Sequence, residues 1–427
     1  MMNNSLRILL FISLGAIYSC DTTSSIDPPD DSFFLKYFGG EGTQEGVDFI
    51  ANADGTFFLL GNSESANNGL QAQVYVVKAD AKGQVVWEKT FGGKGKEIAK
   101  DIELTTDGKL VVVANTEVTP VDTDIFLLTL TLDGVKIDST VYGFAGTSEN
   151  VSSVTQTNDG FIVAGSTTNV GIKPTGAGGG GDTHDAMHIR FNANLSIYPN
   201  IWGQANGYND SFDASSKVIQ INANEFYVFG HSNTIEGGGG DYNYWLFKLG
   251  PTGVATNRLF RGSSTTDDYL SGIAVAPPQS GDGYILSGTS VNKASGASDL
   301  SLIKLRKTIT FDANGQDFQF EKTVNSTDLK SGPNGRTAVF ASTSSNYFVL
   351  SDESRSGNSN FYLTKRSSDG NAIWDEVLFG GDGEDRVGAL TELPDGKIVM
   401  IGTMAIGKNG ETKMALLKVN AEGRFVK

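Results

Sequence analysis

Three observations predict an all-β protein, a seven-bladed β-propeller of four-stranded antiparallel blades. A glycine mark recurs seven times, with its leading residue at Phe38, Phe91, Tyr142, Trp202, Phe260, Val324 and Phe379. Between marks, turn dipeptides and apolar runs keep a constant order over about 50–64 residues, long enough for four short strands. Glycine supplies 53 of the 427 residues and proline only 10, a composition of many tight turns with few strand breakers.

The first twenty residues read as a secretory signal. Arg7 is the only charge before the apolar stretch from Ile8 to Ile17, which falls short of the ~20 residues a membrane-spanning helix needs. The stretch ends in Ile17-Tyr18-Ser19-Cys20, and Cys20 is the only cysteine of the chain. This ending resembles the lipobox of bacterial lipoproteins, although Tyr18 is bulkier than that pattern prefers. The resemblance implies an acylated Cys20, carrying chains of the palmitate type, that anchors the protein. Residues 21–32 then carry four acids (Asp21, Asp27, Asp30, Asp31), no bases and a Pro-Pro pair. Such a segment buries too little to fold and is expected to act as a tether reaching at most ~40 Å.

Residues 33–427 are expected to form the propeller. Each unit opens on its mark, clearest in Phe91-Gly92-Gly93 and Phe379-Gly380-Gly381, and an acid follows. A first strand leads to a turn, often Asp-Gly as in Asp107-Gly108 and Asp395-Gly396, a strong hairpin signal. The second strand is an apolar run closed by a small residue: Gly61, Ala114, Gly165, Gly230, Gly288, Ser351 or Gly402. Seven small residues in register imply close approach of a neighbouring backbone or ring. A third strand carries a base (Lys78, Arg190, Lys248, Lys304, Lys365, Lys418) and is expected to turn it to a solvated face. A second turn leads to the fourth strand and the next mark. Residues Phe33–Tyr37 precede the first mark and fit the outer strand that the last unit lacks, so the N-terminal strand is expected to close the last blade. The unit over 324–378 departs most from the pattern.

These units resemble the β-propeller repeats of secreted and lipid-anchored bacterial proteins, with a Phe-Gly-Gly mark, a Thr-x-Asp-Gly turn and a Leu-Ile-Lys-Leu-type strand. Thr105-Thr106-Asp107-Gly108, Phe161 to Gly165 and Leu302-Ile303-Lys304-Leu305 carry the resemblance. It implies architecture, and fold does not fix activity.

The net charge of −16 argues against nucleic acid, whose phosphates call for clustered Lys and Arg. Three histidines and one cysteine leave no Cys/His zinc site or disulfide. Acids follow the marks at Glu45, Glu97, Glu149, Asp210, Asp267, Asp328 and Glu384. Either they form a carboxylate crown at one mouth of the channel, suited to Ca²⁺ or a basic ligand, or each accepts backbone N–H bonds in its own turn. Trp202, Tyr208, Tyr242 and Tyr244 lie near two glycine-rich loops (Gly178–Gly181 and Gly237–Gly240), where aromatic faces suit sugar rings. The expected protein is thus a non-enzymatic, monomeric binding or scaffolding module with a protein or glycan partner and no required cofactor. Its expected location is the outer face of the outer membrane, through its lipid anchor. The alternative is a propeller enzyme acting on polysaccharide, which would need paired acids about 5–10 Å apart.

Overall fold

A computed structural model describes residues 32–64, 71–169, 184–199, 202–208, 211–234, 240–312, 314–324, 336–355, 358–406 and 410–426. Cys20 and the segment 21–31 lie outside the described residues, as do Asp210, Asp328, Gly178–Gly181 and Gly237–Gly239.

The chain forms seven four-stranded antiparallel sheets, the blades of a propeller. Blade one runs outward from the inner strand β2 (Thr43–Ala51) through β3 (Phe57–Glu64) and β4 (Gln73–Ala79) to β5 (Val85–Phe91). Blades two to six repeat this order over residues 97–142 (β6–β9), 149–206 (β10–β13), 213–261 (β14–β17), 266–324 (β18–β21) and 337–379 (β22–β25). Blade seven takes β26 (Arg386–Glu392), β27 (Ile398–Ile406) and β28 (Glu411–Val419) from the C-terminal end and β1 (Phe34–Phe38) from the N-terminal end. The expected closure is present: Phe34 pairs with Lys418 and Phe38 with Met414. No helix among the described residues is long and apolar enough to cross a membrane.

The apolar runs form second strands because both faces of those strands are buried. Along β3, Phe57 and Leu59 pack with Val399, Ile401, Met414 and Leu416 of blade seven. Phe58 and Leu60, on the other face, pack with Val112, Ala114 and Leu128 of blade two. Outer strands alternate instead; β5 is exposed at every second residue. Their turns use the dihedral freedom of glycine: Gly55 has φ +84° and closes on Asn52 O at 2.9 Å, and Gly83 has φ +73°.

One expectation about the third strands is corrected. Lys304, Arg190 and Lys418 are buried, not solvated. Lys78, Lys365 and Lys418 lie over the rings of Phe58, Phe348 and Phe34, and Lys304 donates to Asp282 O at 2.7 Å. Long aliphatic stems cover the rings while the cation reaches a carbonyl or the rim.

The small residue of the second strand follows from a bulge in the inner strand. Six inner strands skip register, at Gly46/Asp48, Ala99/Asp101, Val151/Ser153, Ser215/Lys217, Leu270/Gly272 and Val387/Leu390. The bulge tips the preceding carbonyl across the pair. A β-carbon on Gly61 would sit 1.7 Å from Glu45 O, on Gly230 1.9 Å from Ala214 O, and on Gly288 2.1 Å from Tyr269 O. The extra residue of each bulge is re-aimed, here toward the axis of the ring.

Candidate functional site: the channel and its mouth

Residues from all seven inner strands enclose a central cavity of about 300 Å³. The bulged residues Val47, Lys100, Ser152, Ser216 and Ser271, with Gly388 and Ala389, line it together with Asp48, Asp101 and Lys217. Bulged residues have no partner across the sheet, which is why the channel wall is built from them.

Below the bulges, side chains stitch neighbouring blades. Asp48 accepts from Ile102 N at 3.1 Å, Asp101 from Val154 N at 2.9 Å, and Ser153 donates to Ser216 O at 2.8 Å. In four blades the polar residue after the small position does similar work. Asn62 Oδ1 accepts from Ala99 N at 2.8 Å, Asn115 Oδ1 from Val151 N at 3.2 Å, Asp352 Oδ1 from Val387 N at 2.7 Å, and Thr403 Oγ1 from Gly46 N at 3.1 Å. Lys217 Nζ donates to Asp101 Oδ2 at 3.0 Å, Glu103 Oε1 at 2.8 Å and Val154 O at 2.9 Å. Burial works against the Lys217 cation, but Asp101 and Glu103 outweigh it and raise its pKa. Burial and the adjacent Asp101 push Asp48 well above the usual carboxylate range.

The mark loops lie on the same side as the connections between second and third strands. Backbone bonds join the two sets, such as Glu97 N to Ala72 O at 2.8 Å and Asp268 N to Tyr242 O at 2.7 Å. On this mark side, Glu97 and Glu149 are buried and serve their own turns. Glu97 accepts from Gly93 N at 2.9 Å, Gln73 Nε2 at 2.6 Å and Thr116 Oγ1 at 3.2 Å. Glu149 accepts from Phe144 N at 3.1 Å and Thr167 Oγ1 at 2.7 Å. Burial raises the pKa of both despite these bonds. The other three described acids sit one residue from the equivalent buried position. Glu45 is half-buried and accepts from Asn62 Nδ2 at 3.1 Å, Asp267 accepts from Tyr242 N at 3.0 Å, and the exposed Glu384 accepts from Ser359 Oγ at 3.1 Å. Their neighbours Gln44, Asp268 and Asp385 take the buried place instead.

That buried place explains the mark. A β-carbon on Gly92 would meet Gln73 Oε1 at 2.2 Å and Glu97 Oε2 at 2.4 Å. On Gly262 it would meet Asn243 Oδ1 at 1.9 Å and Asp268 Oδ2 at 2.7 Å, and on Gly380 Asn360 Oδ1 at 2.0 Å and Asp385 Oδ2 at 2.3 Å. The glycine makes room for an acid from the next inner strand and a polar side chain from the third strand. Among the described residues, no three His, Cys, Asp or Glu side chains converge as metal ligands.

The four expected aromatic contacts separate. Trp202 is buried against Phe226 and under Arg190, and Tyr244 is buried between blades four and five. Tyr208 packs on Trp245 and Phe260, with Arg258 over its ring. Only Tyr242 joins a half-buried cluster on the mark side, with His184, Phe212, His231 and Tyr269. Tyr242 and Tyr269 lie 4.7 Å apart between centroids, His184 and Phe212 4.5 Å, and Phe212 stacks on His231 at 6.1 Å and 5°. Sequence reading missed four of these rings. The available signal was position, since Phe212 and Tyr269 flank the buried acids Asp213 and Asp268, and His231 follows the small Gly230.

No protein-family model matches this sequence, and no curated protein matches it. Solved structures of similar shape do. A protein of unknown function from Dyadobacter fermentans aligns over 90% of this chain and 97% of its own, at 8% identity and TM-score 0.46. The β-propeller domain of the trilobed protease from Pyrococcus furiosus aligns over 88% and 95%, at 10% identity and TM-score 0.43. An α-L-arabinanase from Penicillium chrysogenum, complexed with arabinobiose, aligns over 89% and 94%, at 9% identity and TM-score 0.43.

Proposed function

We propose that this chain is a lipid-anchored cell-envelope protein whose propeller is a non-enzymatic binding or scaffolding module, with the mark-side mouth as its binding face. The cluster of Tyr242, Tyr269, Phe212, His231 and His184 carries the reading. Its half-buried rings are held in place by one another, and such pre-set faces suit sugar rings or apolar side chains. The anchor rests on Cys20, the sole cysteine, at the end of the apolar stretch. Strand β1 starts beside Lys418 and runs toward the mark, so the chain enters the propeller on the face opposite the aromatic cluster.

Binding of the full-length protein to a glycan panel tests the module. Tyr242→Ala and Tyr269→Ala are each expected to weaken any retained glycan about tenfold, on the order of one lost stacking contact. Release of reducing ends from a bound glycan would favour the enzyme instead. Cys20→Ser is expected to move the protein from the detergent phase to the aqueous phase. Protease added to intact cells is expected to remove the propeller, and full protection would place it inside the outer membrane.

A further inference from the structure

At three seams between blades an amide faces an acid across the mark glycine: Gln73 and Glu97, Asn243 and Asp268, Asn360 and Asp385. Gln73 Nε2 donates to Glu97 Oε2 at 2.6 Å. The two seams that flank blade three instead set acid against acid, Asp124 against Glu149 and Asp185 against Asp213. At the seam of blades two and three, a β-carbon on Gly143 would sit 1.9 Å from Asp124 Oδ1 and 2.6 Å from Glu149 Oε2, so these oxygens are at most about 4.5 Å apart. Glu149 is buried and accepts from Phe144 N at 3.1 Å, Thr147 Oγ1 at 3.2 Å and Thr167 Oγ1 at 2.7 Å, a set of donors that suits an ionised carboxylate. Asp124 is half-buried and its side chain has no hydrogen bond or ion pair among the described residues. Asp122, two residues back on β8 (Asp122–Leu130), adds a third acid and accepts from Gly146 N at 3.1 Å. Tyr142 at the end of β9 (Lys136–Tyr142), and Glu97 beyond the Thr116 that pairs with Asp124, are the other ionisable groups around the pair. None of these groups is bonded to a lysine or arginine among the described residues.

We propose that the seam between blades two and three is a pH-operated latch: a proton on Asp124 makes it a hydrogen-bond donor to Glu149, and loss of that proton to solvent as pH rises sets the two carboxylates against each other and loosens mark loop 143–147. Like charges this close disfavour joint ionisation. A proton on Asp124 replaces the repulsion with a charge-assisted O–H···O⁻ bond, the part that an amide plays at the other seams. Burial and Asp122 raise the Asp124 pKa, and burial raises that of Glu149, to which Asp124 adds. A carboxyl raised in the folded state keeps its full contribution below the unfolded value and loses it as pH rises through the folded one. The loop responds because Glu149 and Asp122 hold it from both sides, at Phe144 N and Gly146 N. The inference is independent of the aromatic cluster and of the anchor.

Asp124→Asn installs the amide of the other seams and tests the latch. Tm of the full-length protein and of the variant is compared from about pH 5 to about pH 8, with a chelator present so that no divalent cation bridges the acids. Groups elsewhere titrate alike in both chains and cancel in the comparison. The variant is expected to match wild type at the acid end and to exceed it by about 2 °C at the alkaline end. Hydrogen exchange in a peptide spanning 143–149, corrected for intrinsic rate, is expected to quicken about tenfold over this range in wild type and to hold constant in the variant. Asp124→Ser removes the charge without supplying an amide, and it is expected to flatten the pH slope while melting below Asp124→Asn. Equal pH slopes in wild type and both variants would overturn the latch. So would an Asp124→Asn protein that melts below wild type at the alkaline end.

Discussion

Lys217 and Asp101 meet at 3.0 Å although blade four carries one and blade two the other. Blade three lies between them and is held in the same grip, because Lys217 also donates to Val154 O at 2.9 Å. One ammonium therefore ties three consecutive inner strands at the channel wall.

Lys217→Met should expose the weakness of that arrangement. The change leaves Asp101 and Glu103 without their cation, next to an Asp48 that already resists ionisation. Breaking a largely buried pair from one side costs about 3 kcal/mol. A lower urea midpoint with an unchanged m-value is the expected result, and an unchanged midpoint would show that the tie is dispensable.

Gly61→Ala should be far more damaging than Gly40→Ala. The first places a β-carbon 1.7 Å from Glu45 O, and the second meets nothing within 4 Å. Backbone cannot step aside at a bulge as a side chain would, so the expected losses are on the order of 3 kcal/mol and under about 0.5 kcal/mol. Thermal melts of the two variants make the comparison.

Acid should destabilise the protein through His188. This ring is fully buried in β12 (Asp185–Asn192), with Nε2 3.1 Å from Gly253 O, and burial lowers its pKa from 6.5 to about 4. The folded pKa lies below the unfolded one, so the unfolded chain takes up the proton first as pH falls. The contribution is complete above about 6.5 and is lost on descent toward about 4, amounting to about 3 kcal/mol. Urea midpoints at neutral and mildly acid pH should show this slope, and His188→Gln should flatten it.

Removal of residues 21–31 should leave Tm nearly unchanged, whereas removal of 21–38 should abolish a single cooperative transition. The longer cut takes Phe34 and Phe38 from their cluster with Val399, Ile401, Met414 and Leu416, and it bares the β28 edge. Equal melting of the two truncations would argue that blade seven stands without its outer strand.

Architecture was legible because each of its signals repeats. A small residue such as Gly230 or an Asp-Gly turn means little alone, but seven copies in one order specify a blade. Even the divergent unit, where β22 (Thr337–Ala341) is short and pairs without a bulge, forms a full blade. The channel was not legible. Strand alternation places Lys100 on an ordinary sheet face, and only the one-residue slip at Ala99/Asp101 turns it inward. The acids were legible as a set but not to the residue, since Glu45 and Gln44 are adjacent and either reading of the mark spacing is stereochemically sound. Tyr244 and Trp202 looked available because they flank glycine-rich loops. Strand pairing takes Tyr244 into the interior, and packing on Phe226 and Arg190 takes Trp202 there, neither of which sequence proximity reveals.

The pairing of Phe34 with Lys418 also sets an order of events. A strand made among the first must wait for a partner made among the last, so blade seven cannot form while the chain is still being synthesised. Blades one to six have no such delay, since each is local in sequence and can assemble as it emerges. The final step closes a loop of nearly the whole chain, which places it among the slow, high-contact-order events of folding. A chain interrupted before β28 is left with an unpaired β1 and an open ring, a state that proteases and chaperones recognise by its bare strand edges.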